Sequence, residues 1–201
     1  MRHILLAAAV LAALTPAVRA AEYEIDPAHT QLGFKAKHVV GKVPGRFTKF
    51  SGKFSYDPKD PKAWKAEATI DADSINTDVE GRDKHLKSDA FFDVAKCPTI
   101  TFKSTKVSDV KGDHFKVAGD LTMHCVTKPV VLDVESNGTG KDPWGNESAS
   151  FSATASVNRQ DWGISWNKTL DSGGVLVGDK IDLILEITGN VKKAEAPAKK
   201  P

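Results

Sequence analysis

Along most of the chain apolar and polar side chains alternate strictly, and helical periodicity is almost absent. That pattern marks half-buried β-strands. Leu32, Phe34 and Ala36 fall on one side with Lys35 and Lys37 on the other; Phe50, Gly52, Phe54 and Tyr56 oppose Ser51, Lys53 and Ser55. Trp64, Ala66, Ala68, Ile70 and Ala72 alternate with Lys65, Glu67, Thr69 and Asp71. The pattern resumes at Ile100, Phe102 and Ser104, then at Phe115, Val117, Gly119, Leu121 and Met123, then at Val130, Leu132 and Val134. Phe151, Ala153, Ala155 and Val157 follow, and Ile181, Leu183, Leu185 and Ile187 end the series, giving about eight strands. Asp57-Pro58, Lys111-Gly112, Asn137-Gly138 and Gly173-Gly174 are the turn signals between them. Gly81 to Phe92 breaks the alternation, contains no β-branched residue, and predicts one short helix or helical loop.

Eight one-sided strands without helices to cover them must close on themselves or stack as a sandwich. Closure also removes exposed edges. Eight strands enclose either a core filled by side chains or a space for one ligand, and alternation alone does not choose between them. Small residues bear on that choice. Gly52, Ala66, Ala68, Ala72, Ser104, Gly119, Ala153 and Ala155 share the inward parity of the large apolar residues. A filled core wants volume at those positions, and a cavity wants its absence.

The termini stand apart from this pattern. Residues 1–20 read as a cleavable export signal: Met1-Arg2-His3, an apolar run from Ile4 to Leu14, and Val18-Arg19-Ala20 as the cleavage site. The run is shorter than the roughly 20 residues needed to span a bilayer, so no stable membrane insertion is expected. The domain is then expected over residues 21–190, with 191–201, rich in Lys, Ala and Pro, as a disordered basic tail. Removing Arg2 and Arg19 takes the 28 basic residues down to 26, equal to the 26 acidic ones. A balanced charge argues against nucleic acid as a partner.

Several blocks, in order, make the chain resemble the YceI-like family. They are Asp26-Pro27-Ala28-His29-Thr30 with Phe34 and His38; Gly45-Arg46-Phe47 with Phe50 and Gly52; and Ser74-Ile75-Asn76-Thr77. Arg82-Asp83, His85-Leu86-Lys87-Ser88 and Phe91-Phe92-Asp93 continue the match, as do Pro98, Ile100, Phe102 and Ser104, Gly119-Asp120-Leu121-Thr122 and Val126-Thr127-Lys128-Pro129-Val130. The resemblance implies an all-β, eight-stranded antiparallel lipocalin-like barrel around a hydrophobic channel. It also implies a periplasmic location, binding of a long isoprenoid or related amphiphilic lipid, and no catalytic activity. Cys97 and Cys125 depart from the family pattern, which usually has an aromatic and a Gly there. Pairing Phe102 with Leu121 brings the two cysteines within about one residue of facing each other. Alternation places Cys97 outward and Cys125 inward, so a disulfide needs a bulge near Pro98, and two separate thiols remain the alternative.

The expected apolar lining is Phe34, Phe54, Ile70, Phe102, Leu121, Leu132, Phe151 and Leu183, with Trp166 from the loop Trp162-Gly163-Ile164-Ser165-Trp166 as a further wall residue. A twenty-carbon tail buried there gains roughly 16 kcal/mol gross at about 0.8 kcal/mol per CH₂, of which ordering takes back a large part. His38, Arg82, Asp83 and His85 are the candidates for the head group, since Arg presents a planar fork to phosphate and His donates when protonated. The bland alternative for Arg82, Asp83 and His85 is a network that pins the helical segment to the barrel rim. His29, His38, His85, His114 and His124 show no metal-ligand spacing, and no nucleophile elbow, phosphate loop or carboxylate pair is present. The leading expectation is therefore a carrier or sequestering protein for an isoprenoid or quinone-type lipid, with no metal or other cofactor. The rival is an enzyme acting on that bound molecule with His85 or His38 at the channel mouth. Oligomeric state is open between monomer and homodimer.

Overall fold

The structure, a computed structural model, describes residues 20–57, 59–60, 63–143, 145–171 and 173–191. Apart from Ala20 and Val191, the expected export signal and basic tail lie outside the described residues. Eleven strands form one antiparallel sheet: β1 (Ala21–Ile25), β2 (Gln31–His38), β3 (Gly41–Phe47), β4 (Phe50–Tyr56), β5 (Lys65–Asp71), β6 (Ile75–Asn76), β7 (Thr99–Lys111), β8 (His114–Met123), β9 (Val126–Lys141), β10 (Glu147–Asn158) and β11 (Val177–Val191). One helix, α1 (Glu80–Lys87), interrupts them. No helix among the described residues is long and apolar enough to cross a membrane.

The eleven strands amount to eight. β1 pairs with β4 while β2 pairs with β3, and β4 pairs with β5 while β3 pairs with β6. The three pairs β1/β2, β3/β4 and β5/β6 are thus long strands, each broken once. From there β7, β8, β9, β10 and β11 follow in order, and β11 returns to both β2 and β1. The result is a closed up-and-down barrel of eight antiparallel strands with one helix. The first break is braced locally. Between β1 and β2, Asp26 accepts from the Ala28 N–H at 2.9 Å, His29 Nδ1 at 2.7 Å and Asn190 Nδ2 at 3.2 Å. The His29 bond first, and then the Ala28 N–H, hold this carboxyl below its usual range, so the brace is complete at neutral pH and is lost only as pH falls through the lowered value.

Predicted alternation holds across the strands, and the predicted register, Phe102 opposite Leu121, is observed. Four expectations need correction. β1 and β3 are strands that the alternation did not single out, because one is short and the other carries Gly41, Pro44 and Gly45. Asn137-Gly138 is not a turn but a bulge inside β9, where Phe151 pairs with Ser136 and Ser150 with Gly138; Gly138 takes φ 101° to absorb the extra residue. Val191, assigned to the tail, is the last residue of β11 and pairs with Tyr23. Cys97 and Cys125 are bonded, with Cα atoms 5.4 Å apart, but their faces are the reverse of those expected. Cys97 is buried in the loop before β7, and Cys125 is exposed in the two-residue turn between β8 and β9. Strand parity governs neither position. Both turn residues are left-handed, His124 at φ 50° and Cys125 at φ 59°, as this hairpin geometry requires. Each is also anchored, His124 Nδ1 donating to the Trp162 carbonyl at 2.8 Å and Cys125 being bonded to Cys97.

The two ends of the barrel differ. At one end Tyr23, Phe54, Tyr56, Trp64, Phe115 and Phe151 interlock, with centroids 4.1 to 5.3 Å apart along the chain of contacts. Two of their polar tips are hydrogen-bonded: the Tyr56 hydroxyl meets Ser136 Oγ at 3.1 Å and Trp64 Nε1 donates to the Asp57 carbonyl at 2.6 Å. At the other end α1, the loop from Ser88 to Pro98, and the 3-10 turn Arg159–Trp162 cover the opening. Trp162, 2% exposed, donates from Nε1 to the Leu121 carbonyl at 3.1 Å and fixes that turn to the wall.

Two stability outcomes are expected. A side chain on Gly119 would collide with the Phe102 ring and the Lys103 carbonyl, so Gly119→Val should lower the urea midpoint by the equivalent of roughly 1–3 kcal/mol of overpacking. Reducing the Cys97–Cys125 bond frees a loop spanning 28 residues, and urea melts with and without dithiothreitol should differ by roughly 3–4 kcal/mol.

Candidate functional site

The barrel encloses a cavity of about 280 Å³ whose lining is almost wholly apolar. That is just under the roughly 300 Å³ at which small-molecule sites usually begin, so the space is narrow. Every one of the eight strands contributes to its wall. Phe34, Phe54, Ile70, Phe102, Leu121, Leu132, Phe151 and Leu183 all line it, because each occupies the inward row of its strand. Leu86, Phe91 and Phe92, from α1 and the loop after it, form its roof.

The small inward residues divide into two groups. Ala66, Ala68, Ser104 and Ala153 line the cavity. Gly52, Ala72, Gly119 and Ala155 do not, and the glycine space is taken by neighbours: Phe102 lies over Gly119, and Ile25 with the Glu67 carbonyl crowds Gly52. Phe34 lies over Gly45 and Phe54 over Gly189 in the same way. Glycine here lets an aromatic ring lie flat on the sheet, and it is alanine on β5 and β10 that leaves the interior open.

The polar candidates are not brought together at the cavity. His38 is exposed near the end of the β2–β3 hairpin, where β2 has run past the barrel wall, and it does not line the interior. Arg82 and Asp83 pin α1 to the strand before it. Asp83 Oδ1 accepts from the Thr77 N–H at 2.8 Å and the Thr77 hydroxyl at 2.5 Å, while Arg82 donates to Thr77 Oγ1 and its carbonyl, both at 2.7 Å. With these bonds made, neither group is turned to the interior. His85 is exposed and packs edge-on against Phe91 at 5.0 Å and Trp166 at 4.7 Å. Trp166 itself is not a wall residue: it rests on Phe91 at 5.2 Å, and Phe91 takes the place at the cavity. The loop closes this end through Trp162 and Ile164 instead.

Polar residues not anticipated at the cavity are Ser55 and Lys65 from the outward rows and, buried, Arg159. Arg159, 3% exposed, lines the covered end. Its Nε donates to the Gly178 carbonyl at 3.2 Å, Nη1 to the carbonyls of Ile164 at 2.7 Å and Trp166 at 2.8 Å, and Nη2 to Asp179 at 3.0 Å. A guanidinium has five N–H donors, so one on Nη2 is left over. Its signal was present in the alternation, because Arg159 continues the inward row Phe151, Ala153, Ala155, Val157 by one more step. The lining contains no His, Asp, Glu or Cys among the described residues; its titratable side chains are Tyr56, Lys65 and Arg159.

Comparison with known proteins agrees with this architecture. The YceI-like domain family matches residues 23–189. A UPF0312 protein of Vibrio cholerae is 42% identical over 151 residues, which is 74% of this chain and 80% of that one. Among solved structures, the Campylobacter jejuni YceI protein superimposes with a TM-score of 0.67 at 34% identity, covering 84% of this chain and 96% of its own. A polyisoprenoid-binding domain from Saccharophagus degradans superimposes with a TM-score of 0.61 at 16% identity, covering 86% and 99%, a level that speaks for the fold alone. With the family match spanning nearly the whole sheet, the chain belongs to the YceI-like family.

Proposed function

We propose that this protein holds the hydrocarbon tail of an isoprenoid or quinone-type lipid inside the barrel, as a carrier or sequestering protein rather than an enzyme. The observation that carries this reading is the character of the cavity wall: apolar from every strand, with no carboxylate or imidazole in it. A ten-carbon length of tail buried there is worth about 8 kcal/mol gross at ~0.8 per CH₂, a micromolar affinity before ordering costs. Carbon count is weakly discriminated by such a wall, whereas an oxygen-bearing head group is not. The Saccharophagus degradans domain of the same fold is described as polyisoprenoid-binding, which agrees in ligand class.

The rival, an enzyme using His85 or His38, finds less support, since both side chains lie outside the cavity lining. Export to the periplasm is part of the proposal. It rests on the signal-like residues 1–20 and on the Cys97–Cys125 bond, which suits an oxidising compartment.

Native mass spectrometry of the purified protein, followed by uptake of an added polyprenol, tests the reading. A co-purifying lipid or saturable uptake is expected, and repeated absence of both removes the proposal. Ala68→Phe puts a ring into the open space and should weaken uptake roughly tenfold, the equivalent of displacing two methylenes or about 1.6 kcal/mol. His85→Ala should leave uptake unchanged, and a turnover that disappears with it would favour the enzyme instead.

A further inference from the structure

The β2–β3 hairpin, Gln31–Phe47, breaks a local rule at its tip. Gly41 pairs with His38, leaving Val39-Val40 as a two-residue loop. Such loops favour Gly, Asn or Asp, because a positive φ is needed. Here Val39 holds φ 54°, an outlier for a β-branched residue, and Val40 is 96% exposed. The β7–β8 turn at the opposite end of the barrel shows the ordinary solution, with Gly112 at φ 59° among Lys111, Asp113 and His114. A rule broken with no packing gain points to function.

Three further observations converge on the same end. Val175 and Val79, about half exposed, lie in segments at this end, one beside the tip through the bond from the Val39 N–H to the Leu176 carbonyl, the other next to Asp78, which Arg46 of β3 binds. Three of the six exposed large apolar residues among the described residues, Val39, Val40 and Val175, are therefore gathered at the tip. The hairpin is basic throughout: Lys35, Lys37, Lys42 and Arg46 with His38, and no Asp or Glu. Lys37 stands directly opposite Lys42, and among the described residues neither Lys35 nor Lys37 forms an ion pair. Lys42 is answered by Asp182 at 2.7 Å and Arg46 by Asp78 at 3.0 Å, which leaves Lys35 and Lys37 as the hairpin cations that face outside anions among the described residues. The inner face of the hairpin also continues the cavity wall. Phe34 and Ala36 line the cavity, Val43 pairs with Ala36 on the same face, and Val177, another lining residue, pairs with His38.

We propose that this hairpin docks the covered end of the barrel on a membrane carrying anionic phospholipid. Val39, Val40 and Val175 enter the apolar layer, the lysines lie at the headgroups, and the row Val43–Ala36–Phe34 is the path of a tail between bilayer and cavity. An apolar tip ringed by basic residues is the chemistry of interfacial binding, where each lysine near an anionic surface contributes about a fivefold gain in partitioning. The tail path rests on the lipid-binding reading; the docking geometry does not.

Co-sedimentation of the full chain with sucrose-loaded vesicles tests it, using phosphatidylcholine alone and phosphatidylcholine with phosphatidylglycerol. Binding is expected to the anionic vesicles and to fall with added salt, to weaken about fivefold with each of Lys35→Gln and Lys37→Gln, and to be lost in Val40→Asp. Val131→Asp, half exposed on the outer wall of β9, should bind like the parent. Polyprenol uptake from detergent should be unchanged in Val40→Asp, which separates failure of docking from failure of ligand binding. No vesicle binding, equal loss in Val131→Asp, or a Val40-dependent dimer formed without vesicles overturns the proposal.

Discussion

Ring closure is the constraint on which the rest of the structure depends. Once β11 pairs with both β1 and β2, the sheet closes into a ring, and the inward rows have no choice but to face one another. The sheet itself then fixes the radius, and side-chain volume alone determines whether the centre is solid or hollow. Aromatic rings fill one end of the barrel, while alanines on β5 and β10 leave the middle open. The partition of large and small residues along each strand is what turns a closed sheet into a receptacle.

Where side chains obey a period of two, the sequence was read correctly. The eight core wall residues, the strand count and the register between β7 and β8 all follow from alternation, because a one-residue slip would turn a whole row to solvent. Reading failed where that period lapses. Trp166 and Cys125 sit in loops, so their facing is set by ring contacts and turn geometry rather than by parity. Asn137-Gly138 has the composition of a turn but serves as a bulge, a distinction made by the pairing partner on β10 and not by the dipeptide.

The site was legible in its apolar half and opaque in its polar half. Arg82 and Asp83 have the right chemistry for a phosphate, yet their bonds to Thr77 hold them at the base of α1, and neither lines the cavity. Arg159 obeyed the inward parity and went unnoticed because it sits one step beyond the last apolar residue of its strand. Charged residues at strand ends are easily taken for solvent-facing punctuation. Here one of them braces the 163–166 loop and the start of β11 with four hydrogen bonds while bordering the cavity.

The Cys97–Cys125 bond ties the loop behind α1 to the β8–β9 turn, and His124 ties that turn to Trp162. Three pieces of the cover are thereby stitched into one plate. Such a plate is poorly suited to lifting piecemeal like a flap, whereas the outer edge of β3 from Gly41 to Gly45 is bordered by no other strand among the described residues, so the wall parts there with fewer bonds to break.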